Sequence, residues 1–284
     1  MRSIDEALDQ RTLLADGSLS RQLEGLEFDL ARDHFGAEGC LEVLNITRPQ
    51  VIRGLHQAYL EAGADVIRTN SLAANALSLG PLGLGDEAFY INFAAAELAA
   101  QAIDSLPGRG RRRFVLGVVR DQAWDAEPME VSKAVAQQVE GLLAGGADGI
   151  VIDIVPGAGR APLFLGGARR ARESLKSRAP IFLQGRSGEA AFSARARAEA
   201  DGLIRYRHGT PDRQDWLMPA ILEEGVNLIG GGAAPADTAK LDALLRRQAE
   251  DGIRPRTAWQ RDLPVDEVTP PASLIDAPAA AEVA

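Results

Sequence analysis

One ending occurs twice in this chain, as Glu61-Ala62-Gly63-Ala64-Asp65-Val66-Ile67 and as Ala144-Gly145-Gly146-Ala147-Asp148-Gly149-Ile150-Val151. In both, an amphipathic stretch stops at a glycine able to take the left-handed conformation past a helix C-terminus, and an apolar run begins almost at once. A helix-to-strand link this short suits a strand laid parallel to its predecessor, as in the repeating unit of a (βα) barrel.

The alternation extends from Thr12 to about Glu250 with no shift in composition, which predicts one domain over residues 1–250. Strands are expected at Thr12–Ala15, Asp65–Thr69, Phe114–Val119, Gly149–Val155, Ile181–Gln184 and Val226–Gly230. Helices are expected at about Arg48–Ala62, Asp86–Ser105, Glu130–Ala144, Arg160–Ser177, Pro211–Glu224 and Ala236–Glu250, the first with Thr47 as N-cap and Pro49 in its first turn. This gives six units, or seven if Leu203–Tyr206 is a strand, whereas a complete barrel has eight. The fold class is therefore α/β, a TIM-type (βα) barrel shortened by one or two units between Asp153 and Val226. Removing strands should leave a strained small barrel or an open sheet. The expectation is a gap beside Gly149–Val155, filled by the chain's own stretch Gly185–His208, by a second copy or by a partner subunit.

The 284 residues carry a net charge of −9, which gives no global attraction to nucleic acid or anionic lipid. The basic run Arg109 to Arg113 reads as a solvated helix-to-strand loop. Cys40, the single cysteine, excludes an intrachain disulfide and a cysteine-rich zinc site. With no signal-like N-terminus and no apolar run of membrane-spanning length, a cytoplasmic location is expected. Residues 251–284, rich in Pro and Ala, read as an extended, disordered tail.

Few residues announce chemistry. Gly225 to Pro235 reads as a buried strand and a glycine turn, at the place where a barrel displays its reactive groups, yet it holds no reactive side chain. His34 and His208 fall in loops and His56 in mid-helix, where a structural or surface role is expected. His208 with Asp212 and Asp215 could ligate a metal, or could simply be a polar loop before an acidic helix start. Gly157, Gly159, Gly185 and Gly188 form no complete phosphate-binding motif; Arg186 and Ser187 could meet an anion.

Several blocks resemble the homocysteine S-methyltransferase family, whose barrel also occurs in cobalamin-dependent methionine synthase and betaine–homocysteine methyltransferase. Leu14-Ala15-Asp16-Gly17-Ser18-Leu19-Ser20 is similar to the family's first strand and Asp-Gly-x-x-Gly-Thr turn, with Leu19 in place of the second glycine and Ser20 in place of the threonine. Leu44 to Pro49, His56 to Asp65 and Arg68-Thr69-Asn70-Ser71-Leu72 resemble the next helix and a Thr-Asn-Thr-Phe strand end. Ile91 to Ala99 is similar to the helix that follows. The resemblance runs from about residue 12 to 248. Toward the end, Asp201 to Tyr206 and Asn227 to Gly231 align with the last two units, which makes Leu203–Tyr206 part of a loop and leaves the fifth and sixth units without a counterpart.

The resemblance implies a homocysteine S-methyltransferase-like protein of methionine and one-carbon metabolism. It also implies a zinc ion held by one cysteine after the sixth strand and a pair following Gly-Gly after the eighth. Here the sixth unit has no counterpart, and Gly232 and Ala233 stand in place of the pair, so no metal ligand and no catalytic residue is assigned. Zinc turns the homocysteine thiol into the nucleophilic thiolate; without it, that mechanism is expected to be lost. The alternative is a non-catalytic subunit that binds an amino acid or a partner in methionine or corrinoid methyl transfer. The substrate-binding residues implied are Asp16, Gly17, Thr69, Asn70 and Asp153, the last where the family has glutamate. Two carboxylates would suit the ammonium of an amino acid such as homocysteine; equally, Asp16 and Asn70 could satisfy backbone groups in their turns. A homo-oligomer or a corrinoid-protein partner fits the same picture, with no nucleic acid and no membrane.

Overall fold

In the computed structural model, the residues described are 3–107, 111–122, 126–154, 160–186, 199–208, 226–230 and 232–250. Seven parallel strands close into a barrel in chain order: β1 (Leu13–Ala15), β2 (Val66–Arg68), β3 (Phe114–Arg120), β4 (Gly149–Asp153), β5 (Ile181–Arg186), β6 (Gly202–His208) and β7 (Leu228–Gly230). The barrel is therefore one strand short of eight, as the seven-unit count allows. No gap lies beside β4, which pairs with β3 through Arg120 and Asp153 and with β5 through Asp153 and Gln184. The expected opening is corrected by β6. Gly202–His208, aligned to a family loop, is a strand, and with β5 it turns the stretch thought to plug a gap into wall.

The register explains how seven strands close. Following paired residues round the barrel from Ala15 returns to β1 about ten residues nearer the N-terminus, against a shear of eight in the eight-stranded form. With ordinary strand spacing and rise, the strands tilt by about 45° and the radius is about 7.6 Å, nearly that of the eight-stranded barrel. Greater shear replaces the missing strand.

Two-residue alternation then sorts the side chains. Phe114, Leu116, Val118, Val151 and Phe182 face inward, while Val115, Val119, Ile150, Ile152 and Leu183 face the helices. The N-terminal mouth is stopped by α1 (Ile4–Gln10), an element the sequence analysis left out. Its Ile4 and Leu8, one helical turn apart, join the interior cluster; burial of such side chains contributes about 1.5–3 kcal/mol each.

Short helices α2 (Leu19–Glu24), α3 (Leu30–Asp33) and α4 (Leu44–Thr47) precede α5 (Pro49–Glu61), and α6 (Ala76–Leu79) precedes α7 (Ala88–Asp104). The outer layer continues with α8 (Pro128–Ala144), α9 (Ala161–Ser174) and α10 (Pro235–Glu250). Glycines bring the long helices together: a Cβ on Gly141 would lie 2.5 Å from the Phe89 carbonyl oxygen, and one on Gly167 2.5 Å from that of Ser132. Gly63 and Gly146 take the anticipated positive φ, 106° and 102°. Thr47 is not the N-cap of α5: that place belongs to Arg48, which pairs with Asp33 at 2.6 Å, and the Thr47 hydroxyl donates to the carbonyls of Asp33 and Val43. The expected helix Pro211–Glu224 and the tail 251–284 lie outside the described residues.

The basic run is tied down where it is described. Arg111 pairs with Asp65 at 2.6 Å and Asp242 at 2.9 Å, Arg112 stacks on Phe114, and Arg113 donates to the carbonyls of Leu60 and Ala64. Among the described residues no helix is long and apolar enough to cross a membrane.

His56 lies on the buried stripe of α5 with Ile52, Tyr59 and Leu60, fully enclosed, and both ring nitrogens lack a partner. Burial pushes its pKa down to about 3. An unfolded chain protonates this histidine near pH 6.5, so the unfolded state takes up the extra proton as pH falls from 6.5 towards 3. Stability attributable to His56 is intact above that window and falls within it by up to about 1.4 kcal/mol per pH unit. Replacing His56→Leu should shrink the difference in unfolding free energy between pH 7 and pH 4 by roughly 3 kcal/mol, measured by urea titration at both pH values.

Candidate functional site

All five candidate residues lie at the C-terminal ends of strands, the face where (βα) barrels carry their sites. Asp16 follows β1 and is 1% exposed. Its Oδ1 accepts from Arg68 Nε at 2.8 Å and its Oδ2 from the Arg68 backbone N–H at 3.0 Å, while Arg68 Nη2 donates to the carbonyls of Asp16 and Gly17. Asp16 and Arg68 thus latch β1 to β2. Burial raises the Asp16 pKa and Arg68 opposes that rise. The carboxylate is spent on this arginine.

Gly17 is required by a close approach. A Cβ there would lie 2.5 Å from the Gly232 carbonyl oxygen and 2.8 Å from the Tyr59 ring. The Gly232 carbonyl accepts from Ser18 N–H at 3.1 Å, and the Ala233 carbonyl accepts from Gln22 Nε2 at 2.7 Å and from the Tyr59 hydroxyl at 3.3 Å. The turns after β1 and β7 are docked through their backbones.

Thr69 and Asn70 hold the turn after β2. The Thr69 hydroxyl accepts from Val118 N–H and shares a hydrogen bond with the Ser71 hydroxyl, which donates to the Val118 carbonyl. Asn70 Nδ2 donates to the Leu41 carbonyl at 2.8 Å, and the Asn70 carbonyl accepts from Asn45. Both residues satisfy neighbouring turns and the end of β3.

Asp153 stands apart from that group, at the inward end of β4, with Arg120 Nε 3.0 Å from its Oδ2. Their side chains are 15% and 44% exposed, so this pair meets solvent at the mouth. A third pair, Asp121 with Arg160 at 3.3 Å, lies beside it. Burial raises Asp121's pKa against the pull of Arg160. Arg68, Arg120 and Arg160 were all missed as site residues; only proximity in the fold reveals that each faces an aspartate.

The turn after β7 does not suit a three-cysteine zinc site. Gly232 has φ of 80°, and a Cβ added to it would lie 2.6 Å from Asp237 Cβ. Asp237 is itself fixed, its Oδ2 accepting from the N–H groups of Ala233 and Ala234. A cysteine at 232 would be strained and obstructed. Cys40 is packed with Ala37, Val43 and Leu79, and burial together with Glu42 pushes its thiol up to about 11. Among the described residues no three His, Cys, Asp or Glu side chains converge as a metal site. The residues present do not fit the family's zinc. The side chain of His208, with Asp212, Asp215, Gly157, Gly159, Gly188 and Ser187, lies outside the described residues.

An Asp16→Asn variant keeps the shape of the β1–β2 latch but removes the charge facing Arg68. Removing one partner of a buried ion pair costs about 3 kcal/mol or more, so the urea midpoint should fall accordingly at pH 7. An unchanged midpoint would show that the latch contributes nothing.

The homocysteine S-methyltransferase family profile matches residues 13–189. Methionine synthases from Mycobacterium leprae and Mycobacterium tuberculosis are 31% and 32% identical over 183 residues, 63% and 62% of this chain. The chain spans about 15% of the length of each of these relatives. The homocysteine methyltransferase MmuM from Escherichia coli, solved in a metallated form, superposes with a TM-score of 0.62 at 20% identity, covering 83% of this chain and 96% of that one. That likeness shows a shared fold, and the profile match over more than half the sequence shows descent: the chain belongs to the homocysteine S-methyltransferase family.

Proposed function

We propose that this chain is a divergent homocysteine S-methyltransferase-like protein of methionine metabolism that recognises an amino acid at the barrel mouth without zinc activation of a thiol. The observation that carries the reading is Gly232, whose backbone conformation and contact with Asp237 leave no place for a thiolate ligand. A free thiol near pKa 8.5 is only a few per cent ionised at neutral pH, so the family's methyl transfer loses its nucleophile.

Recognition has better support. Arg120 and Asp153 offer both charges side by side, complementary to the carboxylate and ammonium of a zwitterionic amino acid. Asp16 acts through Arg68, and Gly17 keeps the turn beside it close-packed. Thr69 and Asn70 stabilise the turn. A partner that supplies or receives the amino acid, such as a methyltransferase or corrinoid protein, fits a role in binding.

Calorimetric titration with L-homocysteine tests this directly. Binding is expected at millimolar affinity or better, unchanged between buffer with a chelator and buffer with equimolar zinc, and with no methyl transfer in either. One tightly held zinc per chain, together with binding that disappears on chelation, would overturn the reading, since structural or catalytic zinc of this kind survives purification.

A further inference from the structure

Two neighbouring strands, β3 and β4, end in register, and β5 runs alongside and two residues beyond them. Arg120 on β3 is in register with Asp153 on β4, and Asp153 is in register with Gln184 on β5. All three face into the barrel, because Val118, Val151 and Phe182, two residues earlier on the same strands, belong to the interior cluster. The row therefore presents a cation, an anion and a neutral amide at spacings of about 5 Å at the C-terminal mouth.

Gln184 is 7% exposed, and its side-chain amide has no hydrogen-bond partner among the described residues. Its register neighbour on the other side is Ile204, which offers it nothing polar. The amide is not among the enclosed side-chain groups left without a partner, so its atoms reach the water at the mouth. A ligand seated beside Asp153 can take the place of that water.

We infer that Gln184 is a ligand-contacting, specificity-determining residue whose Oε1 accepts from the ammonium of the bound amino acid alongside Asp153. The inference rests on the amino-acid reading above. Arg120 occupies Asp153 Oδ2, which leaves Oδ1 for one ammonium hydrogen. Gln184 Oε1 supplies the second acceptor, and an ammonium has three hydrogens to give. The amide adds no charge, so the mouth discriminates an α-amino acid from the same molecule lacking its amino group by unsatisfied acceptors as much as by attraction.

The test compares L-homocysteine with 4-mercaptobutanoate, its deamino analogue, on wild type and on Gln184→Leu and Gln184→Glu. The Leu variant should bind homocysteine about tenfold more weakly, bind the analogue as wild type does, and unfold at no lower urea concentration. The Glu variant, which keeps an acceptor, should bind homocysteine at least as tightly as wild type. Equal loss of both ligands in the Leu variant, or loss of neither, would sink the assignment while wild-type binding stands. If wild type itself binds no amino acid, the reading of the mouth fails and takes this inference with it.

Discussion

Closure of the sheet is the constraint on which everything else in this molecule depends. Every strand in a closed barrel has two neighbours, and strand number, tilt and shear cannot vary independently. Losing one strand at fixed shear would narrow the interior and squeeze out Phe114 and Phe182, which fill it. Raising the shear to about ten widens the barrel again by tilting the strands further. The interior therefore keeps three kinds of content: the α1 plug below, an apolar middle, and charged or amide groups above. Register then sets Arg120 and Asp153, at the ends of β3 and β4, in one inward-facing row with Gln184 of β5.

A recurring latch fixes that register. Asp65 N–H donates to the Leu14 carbonyl, and its carboxylate accepts from Leu14 N–H at 3.0 Å. Asp148 does the same with Val115, and Asp201 with Ile181, each at 2.8 Å through the carboxylate. In each case an Ala-Asp pair at the mouth of a strand clasps the preceding strand by both backbone groups. Asp65, fully buried, also holds Arg11 from the end of α1 and Arg111 from the approach to β3. Burial raises the Asp148 pKa, with the Val115 N–H pulling the other way.

These latches explain what was legible. Ala64-Asp65 and Ala147-Asp148 were visible in sequence as helix-to-strand links, and the strands after them lie where the apolar runs predict. Ala200-Asp201 carries the same signature before Gly202-Leu203-Ile204, so β6 could have been recognised from the chain alone. The family alignment obscured it. The α1 plug was harder to find, since two apolar residues one turn apart in a charged heptapeptide gain meaning only when a barrel mouth waits for them. The candidate site was legible in place but not in pairing. Strand ends located Asp16 and Asp153, whereas the arginines that occupy them, 52 and 33 residues away, follow from barrel geometry rather than local pattern.

Pairing changes what such a mouth can do. A guanidinium that clasps an aspartate occupies and directs one or both of its oxygens. Arg68 and Arg160 each belong to an inner, largely enclosed pair, while Arg120 with Asp153 faces outward. Two of the pairs therefore stiffen the rim, and the third remains open to a ligand of matching charge. At the opposite wall, Gly232 and Ala233 present backbone carbonyls to Ser18, Gln22 and Tyr59. Those contacts close the seam between β7 and β1 that a shortened barrel must make, and the backbone bent to make them has no room for the side chain that would carry a metal. The same seam that completes the fold thus takes up the space that a side chain at position 232 would need.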